Sequence, residues 1–127
     1  MEFKDSGERS KFATGAVRDL SEGKGRFDLI PFEALQQVAL VFEVGAKKYK
    51  ERNWEQGIPT NRFADSAMRH LHKYVAGHRD EPHAAMAAWN ILCLLQTEFW
   101  IADGTLPEEL QTLPPPRLAK ADNEPII

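Results

Sequence analysis

The stretch from 83 to 102, HAAMAAWNILCLLQTEFWIA, decides the fold. Placed at 100° per residue, its apolar side chains run nearly all the way round, leaving no solvent face. Its 20 residues could cross a bilayer, but His83, Asn90, Gln96 and Glu98 interrupt it. A central helix buried in a bundle or an oligomer suits that pattern better. Gly104 stops it.

Working outward, Gly77 to Pro82 (GHRDEP) reads as a short turn. Before it the spacing predicts a helix from Arg62 to Ala76, with Asn61 as its N-cap and Gly77 ending it. Phe63, Ala64, Ala67, Met68, Leu71, Tyr74 and Val75 form its apolar side. Residues 51–61 read as a loop broken by Gly57 and Pro59. An earlier helix is expected from Phe32 to Lys50, opened by Pro31 at a position where a missing N–H costs little. Gly45 is costly inside that helix and suggests close approach of another backbone. Residues 14–31 read as a structured loop, with Gly23 and Gly25 around Lys24. Residues 1–13 show no periodicity and are expected to be a mobile arm. Pro107 to Leu110 reads as one more helical turn, and the Pro-rich tail of 106–127 as an extended strap or disordered end. The domain organisation expected is therefore an arm (1–13), one all-α domain (14–105) and a tail (106–127).

The whole chain of 127 residues fits one domain. Its 16 Lys+Arg against 19 Asp+Glu give a net charge of −3, which argues against binding to a nucleic acid polymer. Lone Cys93 excludes a disulfide framework and a cysteine-based zinc cluster, and points to a reducing, cytoplasmic compartment. No uninterrupted apolar run approaches 18 residues and no secretory h-region is visible, so neither a membrane span nor a signal is expected.

Four histidines (His70, His72, His78, His83) fall within 14 residues. His83 and Asn90 are seven apart, on one face of the apolar helix. They could bind a metal or substrate, or serve as a helix-start histidine and an amide bonding a neighbouring helix. Asp80 and His83, three apart, could share a metal, although Asp80 and Glu81 equally suit a helix N-terminus. His72 and His78 read as solvated. Lys48 could reach a phosphate, Trp54 could stack on a base and Asn53 could read its edge. Arg69 and Lys73 form a second possible phosphate clamp. A helix-end dipole and a solvated basic face explain the same cations. No phosphate loop, nucleophile elbow or CxxC motif is present. The chain has His78-Arg79-Asp80 and lacks the adjacent His-Asp pair that an HD-type phosphohydrolase needs.

Four blocks occur in order: TGAVRDLSEGKGRFDLIP, GAKKYKERNWEQGIP, DSAMRHLHKYVAG and RDEPHAAMAAWNILCLL. Together, over about residues 14–95, they resemble the phage-associated dATP/dGTP diphosphohydrolase N-terminal family, related to the MazG-like all-α nucleotide pyrophosphohydrolases. The resemblance implies an all-α, oligomeric bundle. It also implies hydrolysis of a purine deoxynucleoside triphosphate (dGTP or dATP) to the monophosphate and pyrophosphate with Mg²⁺, or Mn²⁺ in its place. If phage-encoded, the protein would act in the host cytoplasm. Lys48, Tyr49, Asn53, Trp54 and Gly57 match one family block, Arg69 and His70 a second, and Gly77, Asp80, His83 and Asn90 the last. Met86 stands where members often carry a second histidine, and the wider ExxE and ExxD pattern is missing. The roles expected are His70 and His83 on water or phosphate, Lys48 and Arg69 on phosphates, and Asp80 and Asp65 on the metal. Tyr49, Asn53, Trp54 and Asn90 would complete the substrate pocket. The alternatives are a non-catalytic nucleotide binder and a structural helical bundle.

Overall fold

The computed structural model describes residues 1–117. The expectation for the remainder of the Pro-rich tail lies outside the described residues. The chain divides into two compact units, residues 1–32 and 33–127.

In the first unit β1 (Arg9–Lys11) pairs antiparallel with β2 (Val17–Asp19), Ser10 opposite Arg18. The strands are three residues long and largely exposed, so no apolar alternation announces them. The link between them closes through Gly15 at φ +88, whose N–H donates to the Phe12 carbonyl at 2.9 Å. Asp19 gathers the unit's polar contacts, accepting from the Ser6 N–H and from Lys24 Nζ at 3.2 Å. A 3₁₀ turn follows at Phe27–Leu29. Residues 9–11 were expected in an arm without secondary structure, and 17–19 in a loop. Both are in a hairpin, because turn geometry and an aspartate hub can hold two strands with no apolar pattern.

The second unit is helical: α1 (Phe32–Lys48), α2 (Thr60–Val75) and α3 (His83–Ala102), with 3₁₀ turns at Asn53–Gln56 and Glu108–Leu110. The protein is therefore mostly helical, as the periodicity requires, with one small sheet added. The helices α2 and α3 pack on one another along their length. Their buried line is Thr60, Phe63 and Ala67 from α2 with His83, Asn90, Cys93 and Thr97 from α3. An aromatic ladder continues the core toward α1. Phe63 meets the edge of Trp89 at 6.3 Å, Trp89 meets Phe42 at 5.7 Å, and Phe42 meets Trp54 at 6.4 Å.

The helix ends show what periodicity does and does not specify. Gly77, at φ +94, ends α2 as expected, and the His78 N–H returns to the Lys73 carbonyl at 3.0 Å. The start of α2 differs. The helix opens at Thr60, and no side chain at its N-cap position, Pro59, caps it. Asn61 is inside the helix, and its N–H donates to the Thr112 hydroxyl at 3.0 Å. Thr112 in turn donates its own N–H to Thr60 Oγ1 at 3.0 Å. A residue 51 positions downstream satisfies the orphan donor that a local cap would have taken. The strap carrying Thr112 lies close over Gly57, where an added Cβ would stand 2.8 Å from Leu110 Cδ1. Gly45 does not have the close backbone neighbour expected. No heavy atom lies within 4 Å of a Cβ built there, and the residue borders a cavity instead.

Candidate functional site

The C-terminal half of α1, the 3₁₀ turn at Asn53–Gln56 and one flank each of α2 and α3 border an open cavity of about 1150 Å³. That volume exceeds what most small ligands fill. Seven of the residues singled out in the sequence line it: Lys48, Tyr49, Asn53, Trp54, Arg69, His70 and Asn90. They are spread over more than 40 positions; the packing of α2 on α3 brings Arg69, His70 and Asn90 together, and the aromatic contacts of Phe42 and Trp54 with Trp89 and Trp100 seat the others beside them. His83 lies outside this lining. It is fully buried and borders a second cavity of about 440 Å³ beside Val38 and Tyr74. Asp65 and Asp80 line neither cavity.

The polar centre of the site is a chain of three side chains. His83 Nε2 lies 2.9 Å from Asp80 Oδ1, and His83 Nδ1 lies 2.9 Å from His70 Nδ1. The first contact is local: Asp80 lies in the turn just before α3, three residues ahead of His83, the first residue of the helix. The antiparallel packing of α2 on α3 makes the second. Elementary hydrogen-bond accounting then orients the protons. The carboxylate can only accept, so His83 Nε2 carries a proton and donates to Asp80. In a neutral His83 that leaves Nδ1 as an acceptor. His70 therefore carries its proton on Nδ1 and donates it to His83. His70 Nε2 is left with a lone pair and has no protein partner among the described residues. Burial holds the His70 imidazole below its ordinary value, favouring the neutral form this chain requires. The His83 hydrogen bond holds the Asp80 carboxyl below the usual carboxylate value.

Cations line the other side. Arg69 is ion-paired with Asp65 one turn before it on α2. Asp65 thus orients a guanidinium at the cavity and is not among the residues that cluster with Asp80. The carboxylate that does join Asp80 is Glu81. Asp80, Glu81 and His83 each offer a donor atom within 4.8 Å of the others. Glu81 borders both cavities, although the sequence marks it only as a helix-start acid. Arg62 and Ser66 also line the large cavity. They stand seven and three residues before Arg69, so the same helical spacing that marks Arg69 could have found them. Lys50 and Arg52 add further positive charge at the mouth. Arg52 has φ +62, a conformation L side chains seldom adopt, and pairs with Glu55 at 3.0 Å.

The aromatic groups are partly committed. Trp54 stacks on Trp100 at 5.7 Å and 21°, and Phe42 tilts against it. One face of the indole expected to meet a base is therefore already covered. Tyr49 is exposed, with Lys48 Nζ 5.1 Å from its ring centre. Asn90 donates its side-chain N–H to the Met86 carbonyl at 2.8 Å, which leaves its oxygen free to accept.

A family model described as dATP/dGTP diphosphohydrolase, N-terminal, matches residues 14–103, and so spans every residue of this cavity. No curated protein and no solved structure matches the chain. The match covers 90 of the 127 residues and contains all four sequence blocks in their order. The chain belongs to the dATP/dGTP diphosphohydrolase N-terminal family.

Proposed function

We propose that this protein hydrolyses a purine deoxynucleoside triphosphate, dGTP or dATP, to the monophosphate and pyrophosphate, on a helical scaffold of the MazG-like type in a cytoplasmic compartment. The observation that carries the reading is the Asp80–His83–His70 chain ending at a cavity whose lining includes aromatic side chains, five Lys/Arg and four Glu. In this reaction a water oxygen bonds to the α-phosphorus, the bond from that phosphorus to the bridging oxygen breaks, and pyrophosphate leaves. His70 Nε2 takes the water's proton, and His83 and Asp80 hold the ring so that its lone pair faces outward. Lys48, Arg62 and Arg69 neutralise the phosphate oxygens. Asn53, Asn90 and the open face of Tyr49 or Trp54 receive the base.

A divalent ion, Mg²⁺ or Mn²⁺, fits the acids in the turn before α3. Mg²⁺ is commonly held by one or two carboxylates together with substrate phosphates, and Asp80 and Glu81 supply two exposed carboxylates side by side. Bound there, the ion would supply charge neutralisation on the triphosphate. Asp65 takes no part, because its charge already serves Arg69.

The test is pyrophosphate release from dGTP, dATP and dCTP with Mg²⁺, expected for the purines. Absence of turnover with every nucleotide would sink the enzyme reading. A thermal shift with dGTP and Mg²⁺ but no pyrophosphate would identify a nucleotide binder instead.

A further inference from the structure

Among the carboxylates that line the large cavity, Glu43, Glu51 and Glu81 are exposed and Glu55 is half-buried. Glu55 stands on the 3₁₀ turn Asn53–Gln56, directly after Asn53 and Trp54. Its partner is Arg52, three residues earlier. An ion pair at that spacing is ordinarily a solvated surface feature of little worth. This one is lopsided, with the Arg52 side chain 78% exposed and the Glu55 side chain 25%. Drawing a carboxylate out of water costs free energy, and a cation that stays in water returns little of it. Nor does the pair use up the carboxylate. A single nitrogen, Arg52 Nη1, donates to both oxygens, at 3.0 and 3.2 Å. Each oxygen keeps a second lone pair, with no further protein donor among the described residues. The charge also lies near α3. Burial first, and then the Glu55 charge, push the Cys93 thiol up to about 12. Cys93 is fully buried one turn beyond Trp89 and Asn90, both of which line the cavity.

We propose that Glu55 reads the base and makes guanine the preferred purine, an inference that rests on the nucleotide reading of this cavity given above. A carboxylate can only accept hydrogen bonds. Along its Watson–Crick edge guanine presents two adjacent donors, N1–H and the 2-amino group, one for each Glu55 oxygen. Adenine presents one donor, its 6-amino group, and beside it a lone pair on N1 that would face a carboxylate oxygen. Cytosine has the same pairing of one donor with one lone pair. Thymine has a single N–H between two carbonyls. Guanine alone among the four offers neighbouring donors to both oxygens. The two bonds it makes replace the water that burial takes from Glu55, which gives the half-buried carboxylate a reason to be there. Arg52 holds the carboxylate in place before the base arrives, so little side-chain freedom is lost on binding. Asn53 and Trp54 on the same turn already belong to the part of the site assigned to the base.

The experiment is steady-state pyrophosphate release by the full chain with Mg²⁺, using dGTP, dATP and dITP. The value of kcat/KM for dGTP should exceed that for dATP by about 10- to 100-fold. The nucleotide dITP, which lacks the 2-amino group, should fall about tenfold below dGTP. Glu55→Gln keeps the size of the side chain and offers one acceptor and one donor, the complement of adenine. Its ratio of dGTP to dATP use should collapse to about one. Arg52→Ala leaves the carboxylate and should retain the preference, which separates base reading from a structural role of the ion pair. Equal use of dGTP and dATP by the wild type overturns the proposal, as does an unchanged ratio in Glu55→Gln. A Glu55→Gln variant that loses both nucleotides alike and needs more Mg²⁺ also overturns it, because Glu55 would then serve an ion. Calorimetric binding of the α,β-imido analogues of dGTP and dATP, which cannot be cleaved at that bond, separates this proposal from the hydrolase reading. Tighter binding of the guanine analogue, lost in Glu55→Gln, supports Glu55 even where no pyrophosphate is released. Turnover without a base preference leaves hydrolysis standing and removes Glu55 as the reader. Binding of neither analogue overturns both.

Discussion

Replacing His83 by leucine separates a positioning role from a binding role. The ring is fully buried and makes two hydrogen bonds, one to Asp80 and one to His70. Leucine fills most of its volume and removes both. Asp80 is 71% exposed, so water replaces its lost donor at little cost. His70 Nδ1 is half-buried and loses its acceptor, which costs about 1–3 kcal/mol. Against a total stability of roughly 6–19 kcal/mol for a chain of this length, the variant stays folded. The kinetic effect should be larger. A positioned general base contributes about 10²–10⁴-fold. Without the acceptor on His83, the His70 ring is free to rotate or to carry its proton on Nε2. We expect kcat for pyrophosphate release from dGTP to fall about 100-fold, or about 2.7 kcal/mol. KM should hold, because His83 does not line the large cavity. His70→Gln should lose at least as much, and the double variant no more than His70→Gln alone, since the two act as one unit. Steady-state kinetics of the three variants decides it. An unchanged kcat in His83→Leu, or losses that multiply in the double variant, would refute the hydrogen-bond chain as the source of the base.

Further measurements probe other parts of the molecule. Asp80→Asn keeps an oxygen that can still accept from His83 but removes the carboxylate offered to an ion. The Mg²⁺ concentration for half-maximal activity should rise about tenfold or more, and an unchanged requirement would exclude Asp80 as a ligand. Gly57→Ala places a Cβ 2.8 Å from Leu110 Cδ1 on a backbone at φ +117. It should destabilise by about 1–3 kcal/mol in urea unfolding, and a neutral result would mean that the strap over the start of α2 shifts freely. Stability should also fall in mild acid through His70. Its folded value lies below the unfolded 6.5, so both states are neutral above pH 6.5 and nothing is lost there. Below that pH the unfolded chain binds the proton first, and stability declines as the pH drops toward the folded value. In His70→Gln the decline between pH 7 and 5.5 should be smaller, and identical slopes for the two proteins would remove His70 as its source.

Much of the helical layout was legible because helices declare themselves locally. The apolar cylinder of 83–102 and the amphipathic spacing of 62–76 identify α3 and α2 to within two residues. The glycine at 77 ends its helix because a left-handed residue is needed there. The hairpin of 9–11 and 17–19 was not legible, since its side chains are almost all exposed and carry no period. The cap of α2 was missed for a different reason. Its acceptor is Thr112, more than 50 residues away, and local sequence holds no trace of it.

The candidate site divides the same way. Residue types by themselves marked Lys48, Arg69, His70, Asp80 and His83, because charge and imidazole chemistry belong to the side chain wherever it sits. What each one does depends on its neighbours. Tertiary packing set His83 against His70 and so decided which imidazole nitrogen is free. It also covered one face of Trp54 with Trp100, whereas the Asp65–Arg69 pair is made by the spacing within α2 and Glu81 adjoins Asp80 in the chain. Sequence fixes which groups can donate, accept or carry charge, and helical period fixes which lie on one side of a rod. Only the packing of the rods sets the distances of about 3 Å at which a hydrogen bond forms, and those distances assign the roles.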